Sequence, residues 1–359
     1  MFIKNLKLFN FKNHNEKFFD FSAEINCFVG NNGAGKTNIL DALHYLSMAK
    51  SFLGNLDAQN ILHESDFFAI EAEIQGEEKN DIIKVQLPKE GKKIIKKNEK
   101  TYERIADHIG FLPSVMISPY DANLISDGSE SRRKFLDAMI SQTDSDYLFA
   151  LIQYQKTLQQ RNALLKYFAK NRTFDLDSLE IYNEPLTKFG TQIFEKRQRF
   201  VASILPTIQH FYEIISIGNE KVTVIYESNL NEQNFEEILS ENLEKDRVLT
   251  YTSRGIHKDD LRFVMNGNLI KKFGSQGQQK SFLIALKLAQ IKRIKDITNK
   301  NPILLLDDIF DKLDDNRVSQ LIELVNQQNF GQIFITDTHR ERTESVVKRI
   351  NEESKLFQI

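Results

Sequence analysis

The chain of 359 residues carries one cysteine, Cys27. That excludes internal disulfides and thiolate metal clusters, and it points to a reducing compartment. The formal net charge is only −2, so no global electrostatic case exists for nucleic acid and any such contact must be local. No apolar run approaches the roughly 18 residues a membrane-spanning helix requires. Residues 1–7 mix apolar and polar side chains like a strand and lack the apolar stretch of a signal peptide. No membrane contact is expected, and the expected location is cytoplasmic. Internal repeats and low-complexity tracts are missing as well.

What is present is ordinary in bulk, with 41% apolar and 27% charged residues in a length that suggests two domains. One stretch stands out: Gly30, Asn31, Asn32, Gly33, Ala34, Gly35, Lys36 and Thr37 match G-x-x-x-x-G-K-[ST]. An apolar strand, 25–29, precedes it, and residues from Asn38 to Leu46 follow with apolar side chains at helical spacing. Strand, glycine loop and helix is the context in which successive backbone N–H groups can cradle phosphate. Lys36 would pair with the β- and γ-phosphates of ATP, and the Thr37 hydroxyl would ligate Mg²⁺. No two histidines stand four residues apart beside carboxylates, so no metal beyond that nucleotide-borne ion is expected.

Along the chain, 2–11 and 17–21 predict paired strands, and 66–76 with 81–87 predict a half-exposed antiparallel hairpin. Residues 89–104 carry a local charge of +4. Lys92, Lys93, Lys96 and Lys97 within it read either as a lysine-protected strand edge or as a DNA phosphate patch. From Ser131 to about Gly218 the pattern is helical. Pro185, Pro206 and the polar stretch 171–177 are expected to break it, leaving no helix beyond about 30 residues, or 45 Å. Strands return at 221–227 and 261–265. A helix fills 280–297, a fully apolar strand occupies 303–306, a helix is expected near 315–327, and a strand at 332–336.

The strand 303–306 ends in Asp307 and Asp308. A buried parallel strand delivering a carboxylate at its C-terminal end suits a Mg²⁺ site, with Asp307 on the ion through water and Asp308 placed to orient an attacking water. Ser275-Gln276-Gly277-Gln278-Gln279 leads directly into the helix at 280. It reads either as a second anion site or as an ordinary helix cap.

These motifs, in this order and followed by Asp311-Lys312-Leu313-Asp314, resemble an ABC-type ATPase head. In particular they resemble the RecF branch of the SMC/RecF group of DNA-repair ATPases. The resemblance spans nearly the whole chain. It rests also on residues 10–13, 131–137 (Ser-Arg-Arg-Lys-Phe-Leu-Asp) and 255–260 (Gly-Ile-His-Lys-Asp-Asp).

The resemblance implies an α/β head of mixed sheet and helices, built from 1–112 and 247–359. A mostly helical lobe, 113–246, is inserted, and there is no long coiled coil. It implies that Ser275, with Gly277 and Gln278, closes the site around Lys36 in trans, sandwiching two ATPs in a two-fold homodimer. Asn38 and Lys12 would flank the nucleotide, Asp314 would cross the interface, and Ser118–Asp121 corresponds to the Q-loop. It further implies a weak, DNA-stimulated ATPase that binds double-stranded DNA and single-strand/double-strand junctions. Such a protein works with RecR and RecO in loading RecA. A DNA-binding scaffold with purely structural nucleotide is the alternative. Departures from the pattern are Ile256 in place of proline, Leu53 in place of arginine, and Asp337 where a switch histidine often stands. His339 reads as a surface residue, and His257 as a turn residue or an interface contact.

Overall fold

The computed structural model describes residues 1–54, 56–216, 220–308, 331–341, 343–344 and 354–359. The helix expected at 315–327 and the stretch 311–314 lie outside the described residues. Two compact units are present, residues 1–121 with 283–359, and residues 122–282.

The first unit opens with β1 (Phe2–Phe11), β2 (His14–Asp20), β3 (Ile25–Val29), α1 (Lys36–Met48) and the hairpin β4 (Phe67–Gln75) and β5 (Asn80–Pro88). Short strands β6 (Ile94–Lys97) and β7 (Lys100–Thr101) and then β8 (Ser114–Ile117) follow. The imperfect alternation in β1 has a local cause. Its register against β4 shifts between Ile3 and Asn5, which puts Ile3 in the core with Leu6 and Leu8, and the left-handed Asn10 at φ +50 brings Phe11 inward as well. β2-β1-β4-β5-β6-β7 form one antiparallel sheet.

The second unit contains α2 (Asn123–Ser126), α3 (Ser129–Ser141), α4 (Ser145–Asn171) and α5 (Leu176–Ile215). It continues through β9 (Val222–Glu227), α6 (Phe235–Glu241), α7 (Leu243–Leu249), β10 (Asp260–Met265), β11 (Asn268–Leu269) and α8 (Ile270–Phe273). The unit extends to 282, beyond the expected 246, because β9 pairs antiparallel with β10 and keeps residues 260–265 with the helices.

One expectation fails here: Pro185 and Pro206 do not end helices, and α5 runs unbroken for 40 residues, about 60 Å. Each internal proline costs about 3 kcal/mol of helix. Against that, Leu179, Leu186, Ile193, Phe200, Ile204, Ile208 and Phe211 stay buried on both sides of the prolines, each contributing about 1.5–3 kcal/mol. Packing outweighs the breaks. α5 lies along α4 inside the unit and forms no free coiled-coil arm.

α9 (Gln276–Thr298) begins in the second unit and continues into the first. Then come β12 (Ile303–Leu306), β13 (Ile333–Asp337) and β14 (Lys355–Gln358). They complete a parallel sheet in the order β14-β3-β13-β12-β8. α1 packs on strands of both sheets and is buried along nearly its whole length, as a helix between two layers must be. The Gln332 side chain also bridges layers, accepting from Ile3 N at 2.8 Å and donating to Ile3 O at 2.8 Å.

Candidate nucleotide site

β3 is buried at every position and delivers the loop Gly30–Gly35 to the start of α1. Gly35 has φ +101, and a Cβ there would meet the Asn13 and His14 side chains at 2.5–2.8 Å. Those two residues brace the loop. Asn13 Nδ2 donates to Ala34 O at 3.3 Å, and His14 Nε2 meets Gly35 O at 3.1 Å. Asn38 Nδ2 in turn donates to Asn13 Oδ1 at 2.7 Å. The turn between β1 and β2 is therefore part of the phosphate loop's support.

Lys36 is buried and donates to the carbonyls of Gly30 at 2.8 Å and Asn31 at 3.0 Å. Thr37 Oγ1 donates to Asp307 Oδ1 at 2.9 Å, across the 270 residues that separate them in sequence. Thr336, on β13 between β3 and β12, donates to the same Asp307 oxygen at 2.8 Å and accepts the N–H of Asp308 at 2.9 Å. Burial pushes the Asp307 carboxyl upward, opposed by those two hydroxyls and by Lys36. Asp308 follows at φ +45, a left-handed conformation that a short acidic side chain tolerates.

This donor set fits ATP with Mg²⁺. The loop offers backbone N–H groups and a buried ammonium, and one hydroxyl and one carboxylate converge as hard oxygen donors of the kind magnesium takes. Lys36, Thr37 and Asp307, selected from sequence, are brought together, with Asp308 adjacent. Asn31, Asn32 and Gly33 stand exposed along the rim.

Other selected residues have local partners. Lys12 Nζ is buried against Asp41 of α1 at 2.5 Å. Asp41 also holds Ser51 Oγ at 2.7 Å and Phe52 N at 2.6 Å. Ser275, Gly277 and Gln278 sit in the second unit at the start of α9, where Ser275 Oγ accepts Gln278 N at 3.2 Å. Both sequence readings of this turn are compatible with that, since the serine caps the helix and is exposed. In the basic run, Lys93 turns inward to Asp57 at 2.6 Å and Ala49 O at 2.6 Å. Lys97 pairs with Asp81 at 2.9 Å, Lys96 pairs with Glu99 at 3.7 Å, and Lys92 is exposed.

Sequence reasoning missed a buried polar hub in the second unit. Arg197 of α5 donates to Asp137 at 2.8 Å and Asp259 at 3.1 Å, and Arg132 grips Asp260 through two bonds at 2.7 and 3.0 Å. The two family segments 131–137 and 255–260 thus meet each other. His257, in the second of these segments, has its own separate partners. Its Nε2 meets Thr252 O at 2.9 Å and its Nδ1 meets Tyr154 Oη at 2.7 Å, so the neutral Nε2–H tautomer satisfies both. Burial lowers its pKa to about 4. In the first unit, Lys287 of α9 is buried against Asp121 at 2.7 Å and Met116 O at 2.7 Å. The clustering of paired Arg and Asp at 132–137 and 259–260 was the available signal.

The family model for the RecF/RecN/SMC N-terminal domain matches residues 2–357. The "DNA replication and repair protein RecF" of Flavobacterium johnsoniae is 54% identical, with 100% of both chains covered. The chain belongs to the RecF family. The RecF of Phocaeicola vulgatus is 46% identical over 100% of this chain and 96% of its own. Among solved structures, the recombination mediator protein RecF-ATP in the RecFOR pathway superposes with a TM-score of 0.87 at 31% identity, covering 94% of this chain and 92% of that one. An SMC head bound to the C-winged helix domain of ScpA has a TM-score of 0.55 at 16% identity, covering 96% and 92%, a likeness of fold. The RecF fold here is the ABC-type head expected from the motifs, and among the described residues it carries no long coiled coil.

Proposed function

We propose that this chain is an ATP-switched DNA repair protein that acts in recombination. The observation that carries the reading is the meeting of Thr37 and Asp307 beside the folded-in Lys36, in a chain related to RecF proteins from end to end. Lys36 would hold the β- and γ-phosphates, Thr37 and Asp307 the Mg²⁺, and Gly30 to Asn38 the remaining phosphate contacts. Bound there, the ion supplies charge neutralisation at the phosphates. Asp308 orients water, and its position after the Thr336-anchored N–H fixes where the carboxylate starts.

Ser275, with Gly277 and Gln278, completes the site around the nucleotide of a second copy, so that ATP drives a two-fold dimer. The dimer clamps double-stranded DNA near single-strand gaps and serves RecO and RecR in loading RecA. Slow hydrolysis releases it. The solved relatives described as RecF-ATP and as part of the RecFOR pathway support this reading.

Sedimentation of the wild type and of Ser275→Arg, each with and without ATP, tests it. The wild type is expected to dimerise with ATP and the variant to remain monomeric; a variant that dimerises overturns the trans site. Steady-state phosphate release with DNA present, against a Lys36→Met background, separates a hydrolytic switch from a scaffold with structural nucleotide.

A further inference from the structure

The Ser275 cap is reciprocal. Its Oγ accepts the N–H of Gln278 at 3.2 Å, and its own N–H donates to Gln278 Oε1 at 2.8 Å. A second brace comes from Gln279, whose Nε2 donates to Gly274 O at 2.9 Å. In this arrangement the serine oxygen serves the helix only as an acceptor. Its hydroxyl hydrogen remains available for an anion arriving from outside, and the residue is exposed.

Everything here depends on which end of the Gln278 amide faces the serine. Reversed, the amide would set NH₂ against the Ser275 N–H, donor against donor. The Ser275 N–H would lose its cap, and the hydroxyl would be drawn toward the inner network. The other end of the amide decides the matter. Gln278 Nε2 donates to Glu220 Oε1 at 2.9 Å. A carboxylate only accepts, so it selects the nitrogen end and leaves the oxygen for Ser275. Glu220 lies two residues before β9, half-buried, with its second oxygen enclosed and without a hydrogen-bond partner. Among the described residues, the side-chain hydrogen bond of this carboxylate is the one to Gln278.

We propose that Glu220 is a positioning residue for Ser275: by fixing the Gln278 amide it keeps the serine hydroxyl free to meet the terminal phosphate held by a second copy. The proposal rests on the trans-site reading above. Glu220 acts through Gln278. It stands 55 residues ahead of Ser275 in sequence, outside the P-loop, the Asp307–Asp308 pair and the Ser275 turn.

The test is the ATP-dependent dimerisation constant, measured by sedimentation with a non-hydrolysable ATP analogue and magnesium. Glu220→Ala is expected to weaken dimerisation about tenfold, the worth of one charge-assisted hydrogen bond. Glu220→Gln keeps an acceptor for Gln278 and is expected to stay within about threefold of wild type. Glu220→Lys, which offers donors only, is expected to be at least as impaired as the alanine variant.

Circular dichroism on all three confirms that they fold, and the glutamine variant carries the comparison should the alanine variant not. If Glu220→Ala dimerises like wild type while Ser275→Arg stays monomeric, the positioning role is wrong and the trans site stands. If Glu220→Gln loses as much as Glu220→Ala, charge and not amide orientation is responsible, and the proposal fails. If Ser275→Arg dimerises as well, the trans site itself falls and takes this role with it.

Discussion

Thr336 donates its hydroxyl to Asp307 at 2.8 Å while accepting the backbone N–H of Asp308 at 2.9 Å. One side chain thereby sets both acids of the site. Thr336→Val keeps the shape but leaves the Asp308 N–H unsatisfied, at a cost of about 1–3 kcal/mol. Magnesium-dependent ATP affinity is expected to fall about tenfold or more, as it does when support for a metal ligand is removed. Calorimetric titration with and without magnesium reads this directly, and an unchanged affinity would remove Thr336 from the site.

Asp308 is one methylene shorter than glutamate; in the proposed role that shorter carboxylate would hold the attacking water less favourably, and slow turnover is the expected result. Asp308→Glu is expected to raise steady-state phosphate release several-fold, with about 1 kcal/mol lost in stability because the longer residue suits φ +45 less well. Turnover that is unchanged or lower refutes the carboxylate-length explanation.

Arg197 answers the buried Asp259 and the half-buried Asp137. Arg197→Leu strands both and is expected to cost about 3–5 kcal/mol. Urea denaturation measures the loss.

Acid should loosen the fold through two histidines. Burial lowers His44 and His257 each to about 4, so both are neutral in the native state. The unfolded chain takes up protons below about pH 6.5 and the native state resists until about pH 4, so their contribution is intact above 6.5 and falls as pH drops through that window. Each histidine should account for about 2 kcal/mol between pH 7 and pH 5. His257→Gln should flatten the slope by that share in denaturation midpoints taken at the two values; a slope equal to wild type contradicts the assignment.

The basic run divides into an inward anchor, Lys93, and surface charges, Lys92 and the Glu99-paired Lys96. Lys93→Glu sets like charges against Asp57 and is expected to lower the melting temperature, since Lys93 holds α1 through Ala49 O. Reversing Lys92 and Lys96 should leave melting unchanged and reduce the salt slope of DNA binding by about two. An unaltered slope takes this sheet edge out of the DNA interface.

Most of the first unit was legible in the sequence because its signals are local. The strand before Gly30, the glycine loop and the apolar run into Asp307 each state their role within a dozen residues. Thr336 could not be found that way: its function comes from lying between β3 and β12, an order that only the folded sheet fixes. The same holds for Lys12, a basic residue whose amine turns out to serve Asp41. Pro185 and Pro206 misled because propensity is a local quantity, whereas the buried face of α5 extends along the whole helix.

β3 pairs with β13 on one side and β14 on the other, partners that are translated about 300 residues later. At about 5–20 residues per second, the ribosome leaves this apolar strand without either neighbour for roughly 15–60 s. The unit formed by residues 122–282 is continuous and has no such wait. Biogenesis therefore runs in a fixed order, in which the middle of the chain matures first. The nucleotide pocket cannot assemble before β12 and β13 have been made, and until then the apolar strand Ile25–Val29 waits without its sheet partners.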